Sequence, residues 1–149
     1  MSITIRDLAA SDEARWRELW KGYCEFYEKT LPGDVTDATW ARLLDANEPD
    51  MFSMVALDGE GQVVGMVNCV LHPVTWGINP ICYLEDLFVD PATRKLGAGG
   101  SMIEAVKKRA RAEGWHRVYW KTKNHNDTAR SLYDKVADGT DWITYEISL

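Results

Sequence analysis

The run from Tyr83 to Gly100 constrains the fold more than any other part of the chain. It starts as an apolar stretch of strand type and breaks at Pro91. It then passes Arg94 and Lys95 into the cluster Gly97-Ala98-Gly99-Gly100, and opens a helical pattern from Ser101 to Val106. The order is strand, loop, helix. Glycines at such a junction let backbone N–H groups approach a ligand with no Cβ in the way, and the new helix aims its unpaired N–H groups and positive dipole end at the same spot. The junction is therefore either a purely structural turn or an anion site suited to phosphate. Two nucleotide motifs do not fit. No Gly-Lys-Ser/Thr closes the cluster, and Gly97, Gly99 and Gly100 fall at 0, +2 and +3, which is not Gly-x-Gly-x-x-Gly. What remains is Arg-x-x-Gly-x-Gly, from Arg94 to Gly99.

The chain's 149 residues suit one domain, which would span 1–149. Hydrophobic residues at 46% and charged residues at 27% are ordinary globular values, against disorder. The net charge of −6 argues against nucleic acid as a partner and for a cationic small molecule or basic peptide. Cys24, Cys69 and Cys82 are too few and too scattered for a disulfide framework, which predicts a reducing cytoplasm. The N-terminus lacks a signal-peptide pattern, and no run of 18 apolar residues suggests a membrane span.

In chain order, Ser2 to Arg6 predicts a short strand. A helix follows from near Ser11 as N-cap, with Trp16, Trp20, Tyr23 and Tyr27 along one face. That stripe either faces the core or lines a pocket at its exposed end, where aromatic faces hold a cation. Leu31 to Asp34 reads as a turn and Thr36 to Ala46 as a second helix. Phe52 to Leu57 and Val63 to Leu71 form a hairpin. His72 opens a turn-rich loop, as a surface histidine or as a proton carrier and acceptor contact. Ala98 to Glu113 predicts a helix with Met102, Ile103, Val106 and Ala110 inward, ended by Gly114. Val118 to Trp120 marks a fifth strand, Asp127 to Val136 a further helix, and Thr140 to Ile147 a closing strand. The fold class is α/β, with helices flanking a central, mostly antiparallel mixed sheet.

The motif Arg94 to Gly99, together with Asn126-Asp127-Thr128-Ala129-Arg130-Ser131-Leu132-Tyr133, resembles the GNAT superfamily of acetyl-CoA-dependent N-acetyltransferases. The first follows that family's pyrophosphate loop, Gln/Arg-x-x-Gly-x-Gly/Ala, and the second its Asn-x-x-Ala-x-x-x-Tyr. Lys95 departs from the glycine common after the arginine. The wording Tyr-Leu-Glu-Asp-Leu-Phe-Val and the early aromatic helix look like the branch that acetylates polyamines and basic protein tails. The resemblance implies acetyl-CoA as cosubstrate. Its pantetheine would pair with the backbone of Leu87, Phe88 and Val89, and its pyrophosphate would rest on Arg94, Lys95, Leu96, Gly97, Ala98, Gly99 and Gly100. Asn126 and Arg130 would lie on its far side. Tyr133 matches the general acid that protonates the departing sulfur. Glu85 and Asp86 would bind the cationic amine and pass its proton to water. Trp20, Tyr23, Tyr27 and His72 are the acceptor-side candidates.

An alkylammonium of pKa about 10.4 is a poor proton donor to a carboxylate of about 4.3, so the carboxylates serve better as cation ligands than as direct bases. Neighbouring strand residues alternate faces, so Glu85 and Asp86 share one amine only if a bulge intervenes. His72, His116 and His125 show no metal-ligand spacing, and no cysteine stands beside a histidine in a nucleophilic arrangement. The expected function is acetyl transfer to a primary amine: a polyamine, an amino acid or a lysine-type side chain. An acetyltransferase for an antibiotic or xenobiotic amine, and a non-catalytic acyl-CoA sensor, are the alternatives. The exposed-looking final strand and seven tryptophans suit a homodimer.

Overall fold

The computed structural model describes residues 2–149. One five-stranded sheet runs β1-β2-β3-β4-β5, built from Thr4–Asp7, Met51–Leu57, Val63–His72, Ile81–Val89 and Val118–Tyr119. The first four strands pair antiparallel and β5 joins β4 in parallel. Helices α1 (Glu13–Phe26) and α2 (Gly33–Leu44) cover one face, and α3 (Ala98–Glu113) the other. A last helix, α4 (Asp127–Val136), leans on the start of α3 through Leu132, whose methyl groups approach Gly99 and Gly100. The mixed sheet with helices on both faces agrees with the sequence pattern.

Each face owns its own core. On the α1 side, Trp16, Leu19, Trp20, Trp40 and Leu43 pack on Val55, Met66 and Phe88. On the α3 side, Met102, Ile103 and Val106 pack on Val67, Cys69, Cys82 and Leu84. The predicted inward face of α3 is thus the buried one, because its apolar positions recur at helical spacing. Cys24, Cys69 and Cys82 are all unpaired thiols.

Three expectations need correction. Ser11 is not an N-cap: Ala10–Asp12 form a 3-10 turn ahead of α1, and no side chain caps it. Asp12 is instead drawn to Arg6, whose two guanidinium nitrogens donate to its oxygens at 2.7 and 2.9 Å, while the Ala9 N–H donates at 2.8 Å. Helix α2 starts at Gly33, inside the predicted turn, because Pro32 is preorganised for a helix start. Between Thr140 and Ile147 there is no strand. The segment after α4 is extended and exposed, with Trp142, Ile143, Tyr145, Ile147 and Leu149 all at least 75% accessible. A strand needs a neighbour, and that segment has none among the described residues.

Asp12 is 5% exposed, and its ion pair with Arg6 holds its carboxyl below the usual carboxylate range. A depressed value contributes stability above the ordinary pKa and loses it as pH falls through the lowered one. Asp12→Ala should therefore cost about 1–2 kcal/mol in urea unfolding at pH 7. The gap to wild type should close below about pH 4; an unchanged gap at low pH would rule out the ion pair as its source.

Candidate active site

The site begins with an irregularity in β4. Along the β3–β4 ladder Asn68 faces Asp86, but the next pair is Cys69 with Leu84, so the register skips Glu85. A bulge of this kind places two successive residues on the same face. Leu84 and Leu87 both pack towards α3, three positions apart, while Asp86 and Phe88 turn towards α1. The condition set by strand alternation is met: Glu85 and Asp86 stand side by side at one cleft.

Asp86 is 9% exposed. Asn68 Nδ2 donates to its Oδ2 at 3.1 Å, and the Tyr23 hydroxyl supplies a second hydrogen bond from α1. Burial pushes the carboxyl above its ordinary value, and these two donors oppose the rise. Glu85 stays open to solvent. Desolvation in the cleft and then the Asp86 charge raise its carboxyl, against Lys121 and Arg42.

Aromatic rings wall this acidic pair. Trp16, Trp20 and Tyr23 stack in series along α1 at centroid spacings of 5.4 and 5.5 Å, and Tyr27 follows at 5.0 Å. The ladder divides in function. Trp20 is buried with its indole N–H aimed at Thr36 Oγ1, and belongs to the core rather than to an acceptor surface. Tyr23 and Tyr27 reach the site, and burial followed by the Asp86 charge raises both phenols. Opposite, Tyr83 of β4 stacks on Tyr119 of β5 at 4.8 Å, with the Lys121 ammonium 5.5 Å over Tyr83. His72 closes the wall, its Nε2 3.0 Å from the Tyr119 hydroxyl.

The other half of the site is an opening beside β4. That strand pairs with β3 from Ile81 to Val89 but with β5 only at Cys82 and Tyr83. Past Tyr83 the two parallel strands diverge, which leaves backbone groups of Leu87, Phe88 and Val89 facing a gap on the β5 side. At its end the chain turns through Pro91–Leu96 to Gly97, whose φ of +79° suits glycine, and α3 starts there without a side-chain cap. The first-turn N–H groups of Ala98, Gly99 and Gly100 have no intrahelical acceptor. Lys95 and Leu96 complete this turn.

Arg94 donates from Nε to the Val89 carbonyl at 3.3 Å, and its guanidinium sits 5.6 Å over Phe88 and 6.0 Å over Phe26. It lines a cleft of about 560 Å³ that also touches Arg15, Gly22 and Asp90. Among the described residues it forms no ion pair, whereas Asp90 is bound by Arg15.

Asn126 caps α4, accepting from the Ala129 N–H at 3.4 Å, and Arg130 donates to the Asn124 carbonyl at 2.8 Å. Both side chains are therefore engaged in shaping the start of α4. One turn on, Tyr133 packs edge-on to Trp120 at 5.4 Å. Burial, then the nearby Tyr27, raises its phenol, so it holds its proton through neutral pH. Tyr27 feels Asp86, and Tyr133 in turn feels Tyr27, so Tyr27 lies between the acidic pair and the tyrosine.

Sequence reasoning passed over Ser53 and Asn68, which join Asp86 through buried hydrogen bonds. The signal was present: Asn68 is the one amide within the apolar run Val63–His72. Among the described residues no three His, Cys, Asp or Glu side chains gather as a metal site, and no helix is long and apolar enough to cross a membrane.

A parallel splay ending in a glycine turn and an uncapped helix N-terminus, faced by a buried carboxylate and a half-buried tyrosine, defines an acyltransferase of the GNAT kind. The family model for the Acetyltransferase (GNAT) family matches residues 14–137, and the chain belongs to that family. It is 34% identical to the D-amino-acid N-acetyltransferase of Saccharomyces cerevisiae over 145 residues, covering 97% of this chain and 89% of that one. It is 25% identical over 126 residues to the thialysine N-epsilon-acetyltransferase of Caenorhabditis elegans, covering 81% and 77%. Its fold superposes with a TM-score of 0.81 on an aminoglycoside N-acetyltransferase solved with CoA, at 20% identity and over 99% and 95% of the two chains. The protein is an N-acetyltransferase of this family.

The raised carboxyl of Asp86 makes its charge a load on the fold. A group whose folded value is raised contributes stability below its ordinary pKa and loses it as pH climbs through the raised one. Asp86→Asn should melt with wild type near pH 4 and at a higher temperature at pH 7.5, while losing turnover. Equal melting at both pH values would show that Asp86 bears no such load.

Proposed function

We propose that one N-acetyltransferase domain, residues 1–149, transfers acetyl from acetyl-CoA to a primary amine that Glu85 and Asp86 hold as its cation. The observation that carries this is the bulge, which sets both carboxylates at a cleft walled by Tyr23, Tyr27 and Tyr83. Carboxylates and ring faces together suit an ammonium. The acceptor class is a polyamine, an amino acid or a lysine-type amine. The amino-acid substrates named for the yeast and nematode relatives favour a small amine, and an antibiotic amine is the second reading, favoured by the fold's likeness to an aminoglycoside enzyme.

The backbone of Leu87, Phe88 and Val89 would pair with the pantetheine amides, as an added strand does. The N–H groups from Lys95 to Gly100 would receive the pyrophosphate, with Arg94 as counter-ion, and Asn126 and Arg130 would border the cofactor. Glu85 and Asp86 orient the ammonium and give its proton to water. The neutral amine attacks the thioester carbonyl directly, and a tetrahedral intermediate forms. Tyr133 donates its proton to the departing sulfur as the carbon–sulfur bond breaks, and the proton shed by the new amide nitrogen restores the phenol. A raised phenol suits this role, since it arrives protonated.

Thiol release from acetyl-CoA should appear with one amine class in a panel of spermidine, lysine, D-amino acids, an aminoglycoside and a basic peptide. The rate should rise from pH 6 to 9 as more amine loses its proton. Tyr133→Phe should lower kcat about 10²-fold or more while acetyl-CoA still binds. Tight acetyl-CoA binding without turnover on any amine would favour a sensor instead.

We further infer a homodimer in a reducing cytoplasm. Support comes from the segment after Val136, where Ile143, Tyr145, Ile147 and Leu149 alternate with Thr144, Glu146 and Ser148, and all four apolar side chains are exposed. Strand β5 has a free edge, and beside it lies an apolar groove of about 270 Å³ bordered by Ile103, Trp115, Val118, Trp120 and Val136. Reciprocal exchange of the two segments would cover both faces. Light scattering should give twice the chain mass of 16.9 kDa, and removal of residues 140–149 should halve it; a monomer mass for the full chain at working concentration would sink the idea.

A further inference from the structure

We propose that Ser53 and Asn68 are positioning residues that fix the carboxylate of Asp86 for the acceptor amine. This rests on the role given above to Asp86.

The three residues stand abreast across three strands. Ser53 of β2 is the register partner of Asn68 of β3, and Asn68 is that of Asp86 of β4. The next rung along the same face is Val55, Met66 and Phe88, all apolar and buried. A polar rung in such a face is costly unless its members satisfy one another. Ser53 and Asn68 are each 3% exposed. The Ser53 hydroxyl donates to Asn68 Oδ1 at 2.8 Å, and Asn68 Nδ2 donates to Asp86 Oδ2 at 3.1 Å.

The order of donors and acceptors gives the rung a direction. A primary amide can present either its oxygen or its nitrogen to a neighbour. With its oxygen held by the serine hydroxyl, Asn68 must turn its NH₂ group to the carboxylate. Tyr23 donates from the helix side. Two donors from different elements thus fix the plane of the carboxylate and leave its remaining lone pairs for the amine. The fixed part sits on sheet strands, which hold geometry better than a loop does.

Titratable groups around Asp86 are Tyr23, Cys24 and Tyr27 on α1, Cys69 on β3, and Glu85 on β4, with Tyr83 beyond Glu85. Lys121 and Arg42 bear on the neighbouring Glu85. The Asn68 donor favours the ionised carboxylate, so its loss makes the ionised form of Asp86 harder to reach.

The test is steady-state kinetics of wild type, Ser53→Ala, Ser53→Thr and Asn68→Ala on the amine found by the panel, with the acetyl-CoA dissociation constant measured for each. Expected are a rise in the amine KM of about 3–10-fold for Ser53→Ala, and about 10-fold or more for Asn68→Ala, with acetyl-CoA affinity unchanged. The acid limb of the pH profile should move upward in Asn68→Ala, and Ser53→Thr, which keeps the hydroxyl, should stay near wild type. Variants that lose only thermal stability, with amine KM and acid limb as in wild type, would overturn the proposal. If wild type acetylates no amine, the acyltransferase reading itself fails, and carbon NMR titration of Asp86 decides the relay alone. A carboxyl that titrates higher in Ser53→Ala and Asn68→Ala than in wild type supports it, and one that does not move rejects it. Should Asn68→Ala fail to fold, Ser53→Ala carries both readouts.

Discussion

A carboxylate buried in the middle of a β-sheet is the constraint on which the rest of this structure depends. Asp86 is nine-tenths hidden, and burial favours its neutral form. The fold keeps it there through a polar rung from the sheet and a phenol from α1, each supplying one donor. Those donors in turn determine what surrounds them. Tyr23 must lie over β4, so α1 must cross the sheet at that point, and the stacked rings from Trp16 to Tyr27 anchor it. Gly22 allows the crossing to be close: a Cβ there would lie 2.9 Å from the Phe88 ring.

The same strand does two jobs at its two edges. Towards β3, β4 is paired along its whole length, and the one fault in that ladder brings Glu85 and Asp86 to a common face. Towards β5 it is paired for two residues and then open. In the proposed reading the fault serves the acceptor and the opening serves the acyl donor, so both substrates would meet along β4. Its exit through Gly97 into α3 adds the anion-binding end to the same strand. That is why one run, Tyr83 to Gly100, carries so much of what the chain can do.

This explains which parts were legible in the sequence. Helices α3 and α4 were read to their end residues, because glycine at either end of α3 and Asn126 before α4 are local signals. The hairpin of β2 and β3 was legible for the same reason, from alternation and a turn. The bulge was visible only as a condition, since register is decided between strands and not within one. Trp20 looked like an acceptor residue because the stripe it shares with Tyr23 is continuous; which rings reach the cleft depends on where α2 lands. The segment from Thr140 to Ile147 was read as a strand because its alternation is real, but alternation does not supply a neighbour. Ser53 and Asn68 went unread as single polar residues in apolar runs, whose meaning lies in being abreast of Asp86.

Burial has opposite consequences at the two ends of the site. It raises Tyr133, and for the general-acid role proposed for that residue the neutral phenol is the working form, so desolvation would help. It also raises Asp86 and Glu85, for which the neutral form is the idle one. An arriving ammonium reverses that second effect, since a cation beside Asp86 favours its ionised state. Binding and ionisation would then be linked reciprocally: a bound ammonium favours the ionised carboxyl, and the ionised carboxyl tightens on the amine. A rung that holds the carboxylate in one orientation makes that coupling possible without movement of the sheet.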